Sequence, residues 1–470
     1  MRSVKIFVLL FILFSISLFG EAKPFPQYVD YPYGYQTTKI TATNVQNAYN
    51  KWKSKYLKRC NGMLRVCGDD TSVTISEGMG YGMLLTAYFG EKGKFDSLFA
   101  FYKSKRTSLA YNLMGWKVTC SSISDPGSAT DGDIDVAFAL IVAYCQWGEN
   151  YLEEAKNIIS ILKNYYFVNC NNVYVMKPGG HWGGCGLTDI SYYTPAYFRI
   201  FGEVMNDSFW EKIAEDSYII LENSADSNTG LVPDWQSYDG IPGGNPPSGR
   251  DDYYHYDACR TPWRMALDYI WNGNENAKNW CCKVSKFADS IGASNIKDGY
   301  LLDGTLHPQA QYNNSSFVGG FGVGGMCYSQ SMVDAFALRL LYLDGCGYDD
   351  QYYNLSLRSL YMLVLTGNFW KPTPMGIEES LPKYFYLGKN FPNPFMTTTT
   401  IEYFVPESRF VQLQVFDVVG REVKTLINEE KPAGRYSFIF NGSDLSTGIY
   451  FYRIKAGDFT SELLQMILIK

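Results

Sequence analysis

Only three histidines occur in the chain, His181, His255 and His307, and no two of them have the i, i+4 spacing of a helical metal pair. No Cys-x-x-Cys pair exists either, so a zinc centre is not expected. Basic clusters are missing and the net charge is −6, which excludes the usual phosphate-binding surface of a nucleic-acid partner. Long apolar runs are absent except at 6–19, which is short for a membrane span. That run follows Arg2 and Lys5 and precedes Gly20-Glu21-Ala22, the pattern of a secretory leader over residues 1–22. A leader carrying Arg2, Lys5 and Glu21 is net +1, so the exported chain would stand at about −7. Cysteine stops at Cys346 and tryptophan at Trp370, marking a change of character along the chain.

What is present fits export. Eleven cysteines permit disulfides, and the odd count leaves at least one thiol unpaired. Aromatic content is high at 16%, led by tyrosine; aromatic faces suit sugar rings, although many such residues simply fill a core. With 470 residues, two or three domains are available and one can bury a large core.

Between about residues 44 and 365 the apolar pattern is repeatedly helical. Stretches at 44–57, 80–89, 95–106, 133–147, 151–164, 208–223, 260–271, 277–291, 331–342 and 351–365, with a weaker one at 194–202, predict about eleven or twelve helices. Long loops rich in Gly, Tyr, Asp and Trp separate them, notably 173–193 and 231–256. Loops of that length point to function, and helical hairpins set in a closed ring would present them at one end. A Pro-punctuated linker, 371–383, divides a domain at 23–370 from one at 384–470. The latter alternates as strands at 399–404, 410–416, 435–440, 448–455 and 463–469, with turn signals at Val419-Gly420, Ala433-Gly434 and Ala456-Gly457-Asp458, which predicts a small all-β sandwich.

Three acidic motifs carry the chemistry: Ser76-Glu77-Gly78-Met79-Gly80-Tyr81-Gly82, Ala129-Thr130-Asp131-Gly132-Asp133 and Tyr256-Asp257-Ala258-Cys259-Arg260. Each sets a carboxylate among small or aromatic residues, where desolvation and neighbours decide its pKa. Glu77 opens a Gly-rich helix beside Met79 and Tyr81, so it could stay protonated and donate to a leaving oxygen; a carboxylate serving the helix dipole is the blander reading. Asp131, Asp133 and Asp135 alternate before an apolar run without the Gly and Glu of a calcium loop; one of them is expected to cap the helix, and capping competes with catalysis for each. Arg260 stands at i+3 from Asp257 and would hold it ionised, as a water-activating base requires, while a structural ion pair is the alternative. Gly320-Phe321-Gly322-Val323-Gly324-Gly325 fits GxGxxG by letters. No strand precedes it, so no dinucleotide site is expected, and it reads as a tight loop near a cleft floor.

Taken together these strings resemble the inverting glycoside hydrolases of family 8. The likeness runs from Pro32 to Trp370 through Tyr31-Pro32-Tyr33-Gly34-Tyr35, the 76–83 segment, Leu113-Met114-Gly115-Trp116-Lys117, the 129–140 segment, Ser191-Tyr192-Tyr193-Thr194-Pro195-Ala196-Tyr197, the 256–263 segment and Phe317-Val318-Gly319-Gly320-Phe321-Gly322. The resemblance implies a mainly α fold, an (α/α)6 barrel of six hairpins. It implies Glu77 as general acid, Asp257 as general base oriented by Arg260, and Asp131 as the third carboxylate that binds and distorts the sugar. Asp133 would assist, Trp116 would stack on a sugar (core packing being the alternative), and Tyr192 or Tyr193 would hold the water. One branch of the family, the chitosanases, takes its base from elsewhere, so an aspartate at 257 favours the glucanase and xylanase branches.

The tail resembles the C-terminal sorting domain of type IX secretion substrates through Asn390-Phe391-Pro392-Asn393-Pro394-Phe395, the 415–423 segment and Thr447-Gly448-Ile449-Tyr450-Phe451-Tyr452-Arg453. A carbohydrate-binding module is the rival reading, and the lack of tryptophan after Trp370 speaks against it. The expectation is a secreted or cell-surface monomer that cuts a β-linked polysaccharide, meets the type IX machinery, and uses no cofactor. Cellulose or a related β-glucan is the leading substrate, with xylan as alternative. A non-catalytic glycan binder is the reading from another class.

Overall fold

The computed structural model describes residues 23–243, 252–373, 385–388, 390, 392–405, 408–432, 434–457 and 459–470. The expected leader at 1–22, the expected linker beyond Thr373, part of the 231–256 loop, and Phe391, Ala433 and Asp458 of the tail motifs and turns lie outside them. The chain divides into two compact units, Met1–Met375 and Gly376–Lys470.

The described residues of the first unit form twelve α-helices: α1 (Ala42–Tyr56), α2 (Ser76–Tyr88), α3 (Lys92–Ser104), α4 (Thr130–Trp147), α5 (Tyr151–Tyr165), α6 (Pro195–Met205), α7 (Phe209–Ser224), α8 (Thr261–Asn272), α9 (Glu275–Ile291), α10 (Ser315–Gly324), α11 (Gln330–Leu343) and α12 (Tyr352–Leu365). They are of two kinds. The odd-numbered helices bury one stripe. In α9 it is Ala277, Trp280, Cys281, Val284, Ser285 and Ala288, the spacing of one helical face. The even-numbered α2, α4, α10 and α12 are buried almost all round, as apolar sequence on every side demands. Each even helix packs on its odd partner: α2 on α3, α4 on α5, α6 on α7, α8 on α9, α10 on α11, and α12 on α1. The even helices also touch in sequence, α2 with α4, α6 with α8, α8 with α10, α10 with α12, and α12 with α2. Phe138 of α4 stacks on Tyr197 of α6 with ring centres 3.6 Å apart.

Eleven of these helices fall where the apolar period placed them. The exception is α10, whose glycines read as a loop. It is a buried helix because those glycines admit close neighbours: a Cβ on Gly320 would sit 2.3 Å from the Cys259 carbonyl oxygen. Removing that side chain lets α10 lie directly on the turn that carries Asp257, and this contact outweighs the poor helix propensity of glycine.

Among the described residues a three-stranded sheet, Val73–Ile75, Lys117–Thr119 and Ile123–Asp125, and two separate short hairpins interrupt the helices. Leu57–Cys60 pairs with Met63–Val66, and Phe167–Cys170 pairs with Val173–Met176. Their turns, Asn61-Gly62 and Asn171-Asn172, have positive φ at both central residues, the conformation that matches strand twist. A disulfide leaves each hairpin: Cys60–Cys120 reaches the segment just after Trp116, and Cys170–Cys185 reaches the loop that carries Trp182. The remaining seven cysteines are free thiols.

Among the described residues of the second unit the ladders between strands are antiparallel, and a single parallel bridge joins Phe395 to Leu468. One sheet runs Glu422–Lys431, Arg409–Phe416, Gly448–Ala456, Phe459–Thr460, with Leu464–Leu468 also on Gly448–Ala456; the other runs Gly434–Asn441, Thr398–Val405, Tyr386–Leu387. Inward residues such as Ile401, Val411, Leu413, Tyr452, Ile454 and Met466 make one core. Sequence periodicity missed Glu422–Lys431, a charged edge strand in which only Ile427 is buried. No helix among the described residues is long and apolar enough to cross a membrane.

Candidate active site

Arg260 is the centre of the arrangement. It ends a short 3-10 turn, Ala258–Arg260, at the start of α8, and its side chain is 1% exposed. One terminal nitrogen donates to Glu77 Oε2 at 3.0 Å and Asp131 Oδ2 at 2.9 Å. The other donates to Asp257 Oδ1 at 3.1 Å, Ser191 Oγ at 2.8 Å and Asp189 Oδ2 at 3.5 Å. Both nitrogens belong to one planar guanidinium, so the bonded Glu77 and Asp257 oxygens are at most about 8–9 Å apart. A separation of about 6.5–9.5 Å is what admits a water between an acid and a base in inverting hydrolysis.

Glu77 lies in the first turn of α2 with its side chain 13% exposed. Burial pushes its carboxyl up to about 8, with the Asp131 and Asp257 charges adding and Arg260 and the Tyr352 hydroxyl opposing. That hydroxyl donates to Glu77 Oε1 at 3.0 Å. A Cβ on Gly132 would sit 2.7 Å from the Glu77 amide nitrogen, so the glycine between the two aspartates lets the start of α4 bring Asp131 up to Glu77.

None of the alternating aspartates caps α4; extended Ala129 is the cap residue and the three acids lie inside the helix. Each has a different task. Asp131 accepts from the Gly132 amide at 2.8 Å as well as from Arg260. Asp133 accepts from the Tyr102 hydroxyl at 2.6 Å, is fully buried, and is pushed well above the carboxylate range by that burial; its second oxygen has no partner. Asp133 is set in the core behind Asp131. Asp135 forms a two-pronged pair with Arg264 of α8 at 2.7 and 2.8 Å, tying α4 to α8.

Asp257 is the more open carboxylate, with its side chain 29% exposed. Its Oδ2 accepts from the indole Nε1 of Trp235 at 3.0 Å. The expectation that Arg260 keeps its pKa low does not hold outright: burial outweighs Arg260 and Trp235 and raises it. The Asp131 charge adds to the rise, and the same guanidinium also serves Glu77, Asp131 and Asp189.

The sequence left Tyr192 and Tyr193 open, and the structure separates them. Tyr192 lies beneath the Arg260 guanidinium, 5.2 Å from ring centre, and edge-on to Trp235 at 6.1 Å. Tyr193 is fully buried; its hydroxyl accepts from the Met176 amide at 2.8 Å and shares a bond with Thr188 Oγ1 at 2.9 Å. Tyr192→Phe should therefore lower kcat with little change in Tm. Tyr193→Phe should cost about 1–2 kcal/mol of stability by leaving buried groups unpaired, and thermal melts beside kinetics check both. Trp116 is 38% exposed, and its carbonyl accepts from the Ser76 amide, which sets its backbone beside the segment that begins with Glu77.

Asp189, Asp234, Trp235, Trp182 and Tyr352 went unnoticed in the sequence. Trp182 and Trp235 face each other at 5.6 Å in the two long loops, where length and aromatic content were the available signal. Among the described residues no group of His, Cys, Asp and Glu side chains is placed to hold a metal ion; the centre of the carboxylate cluster is filled by Arg260.

The family model for glycosyl hydrolases family 8 matches residues 26–367. The chain belongs to that family. As a family 8 member it is a glycoside hydrolase, and its last part, residues 389–470, matches the secretion system C-terminal sorting domain, which directs it by the type IX route to the cell surface or beyond. Endoglucanase 2 of Ruminiclostridium josui is 36% identical over 376 residues, covering 75% of this chain and 78% of that protein. Endoglucanase A of Acetivibrio thermocellus is 35% identical over 416 residues, 81% and 84% of the two chains. The apo structure of a β-1,3-1,4-glucanase from Paenibacillus sp. X4 superposes with a TM-score of 0.67 at 28% identity, covering 75% of this family 8 chain and all of that one.

Proposed function

We propose that this family 8 hydrolase is a secreted endo-β-1,4-glucanase that inverts configuration, with Glu77 as acid and Asp257 as base. One observation carries the reading: a single buried guanidinium holds Glu77 on one nitrogen and Asp257 on the other, while burial keeps Glu77 protonated up to about pH 8. Glu77 protonates the departing glycosidic oxygen as Asp257 takes a proton from water on the opposite sugar face. Asp131 binds the sugar at the point of cleavage, with Asp133 supporting it from the core, and Trp116 and Tyr192 form part of the sugar-binding wall. Arg260 orients Asp257 and its neighbours. Support for a glucan as substrate comes from the relatives named endoglucanase and β-glucanase.

The order of helix contacts supports an (α/α)6 barrel, with the even helices as the inner layer and the odd ones outside. We read the rest of the chain as a leader at 1–22, a catalytic domain at 23–370, a linker at 371–383 and a β-sandwich sorting domain at 384–470, acting as a monomer. Reducing-sugar release on carboxymethylcellulose, lichenan, xylan and chitosan tests the substrate, with proton NMR of the first product. The expected result is activity on the two glucans with the α-anomer appearing first. A β-anomer appearing first would contradict inversion, and xylan as the better substrate would contradict the glucanase assignment.

A further inference from the structure

The base is held by more than Arg260. Asp257 sits on the segment His255 to Ala258, and a second carboxylate, Asp234, fastens that segment from behind. Asp234 is 2% exposed, and its Oδ1 accepts from the backbone amides of both His255 at 2.9 Å and Ala258 at 2.8 Å. Its Oδ2 lies 3.8 Å from His255 Nδ1. These two amides flank Asp257 on either side, so a single oxygen fixes the backbone before and after the base. The next residue, Trp235, reaches round to the side chain and donates Nε1–H to Asp257 Oδ2 at 3.0 Å. Gln236 then exchanges both backbone hydrogen bonds with Thr188, one residue before Asp189, at 2.7 and 3.0 Å. Three consecutive residues thereby anchor the base by backbone, anchor it by side chain, and lock their own segment to the neighbouring loop.

We infer that Asp234 and Trp235 form a positioning clamp for the base: Asp234 sets the backbone of the 255–258 turn, and Trp235 sets the carboxylate's rotamer. This rests on Asp257 being the base. A buried carboxylate costs free energy unless its acceptors are used, and here one oxygen serves two backbone amides, that of Ala258 opening the 3-10 turn and that of His255 preceding it. Asp234 is not among the groups bonded to Arg260; its hydrogen bonds run to the backbone on either side of Asp257, so its positioning effect acts through that turn. Displacing a reacting group by about 1 Å can lower a rate by about 100-fold.

The test compares four variants of the full chain. Asp234→Ala is expected to lower kcat by about 100-fold with KM within about twofold, the signature of a lost transition-state interaction. Asp234→Asn keeps a carbonyl oxygen that can accept both amides, so it should recover to within about fivefold of the parent. Trp235→Phe keeps an aromatic ring but removes the N–H donor together with the five-membered ring of the indole; a kcat lowered about 10-fold with only a modest fall in Tm is expected. Asp257→Asn reports on the reading beneath: if it retains activity, the base assignment falls and the clamp with it. If Asp257→Asn is inactive but Asp234→Ala keeps kcat within about threefold, the clamp alone is wrong. Asp234→Asn impaired as deeply as Asp234→Ala also overturns it, because charge rather than hydrogen-bond acceptance would then be the operative property. Should Asp234→Ala not fold, Trp235→Phe decides, and an unchanged kcat there rejects the inference.

Discussion

Glu77→Gln should abolish turnover while leaving oligosaccharide binding nearly intact. An amide of the same shape still meets Tyr352 and still fits beside Arg260, but it has no proton to give the departing oxygen. General acid catalysis of this kind is worth about 10²–10⁴-fold, so kcat should fall by about that factor while titration of a cello-oligosaccharide shows an affinity within a few-fold of the parent. The parent's alkaline limb should lie near pH 8, where Glu77 loses its proton, and its acid limb should report Asp257. Because the two carboxylates sense each other, the limbs belong to the pair.

The same residue gives a stability signature. Its carboxyl is raised in the folded state, so the folded protein binds the proton more tightly than the unfolded chain does. Stability therefore falls as pH rises from about 4.5 towards 8, and the full penalty is present above that. Glu77→Gln lacks this slope, and its melting temperature should exceed the parent's most clearly at alkaline pH. A variant that retains most of its activity would remove Glu77 from the acid's role.

Arg260→Leu should be damaging in a second way. It strips the shared cation from Glu77, Asp131, Asp189 and Asp257 at once, and removing one partner of a buried pair costs about 3–5 kcal/mol. The stranded carboxyls can recover only by taking up protons. Burial already raises Glu77, Asp189 and Asp257, and losing the cation would raise them further, so the stability deficit should be largest near neutral pH and shrink towards pH 4. Melting curves at pH 4, 5.5 and 8 measure this. Arg260→Lys should rescue little, since an ammonium offers a point charge where the site needs a two-armed fork. An Arg260→Leu protein with the parent's melting temperature at pH 8 would mean that the carboxylates do not depend on this residue.

The acidic motifs and helical periods made the frame readable because both are local. Glu77 and Asp131 stand out as charges among glycines, and α9 announces itself by one apolar face. Asp234 and Asp189 gave no such signal: an aspartate in a loop looks like a solvated turn residue until the fold closes over it. The pairing of Trp182 with Trp235 is likewise a meeting of two loops more than fifty residues apart, which no local pattern encodes. Helix α10 shows the opposite failure. Its local signal was present and pointed to a loop, and tertiary packing against Cys259 and Tyr361 overruled it.

The two disulfides leave the helical core alone and fasten the segments bearing Trp116 and Trp182. Each covalent link ties down irregular chain close in sequence to one of these rings. Such bonds are made in oxidising surroundings, outside the reducing interior where the polypeptide is synthesised. On the proposed reading of Trp116 and Trp182 as sugar-facing, the rim that meets the polysaccharide gains its covalent ties only after export.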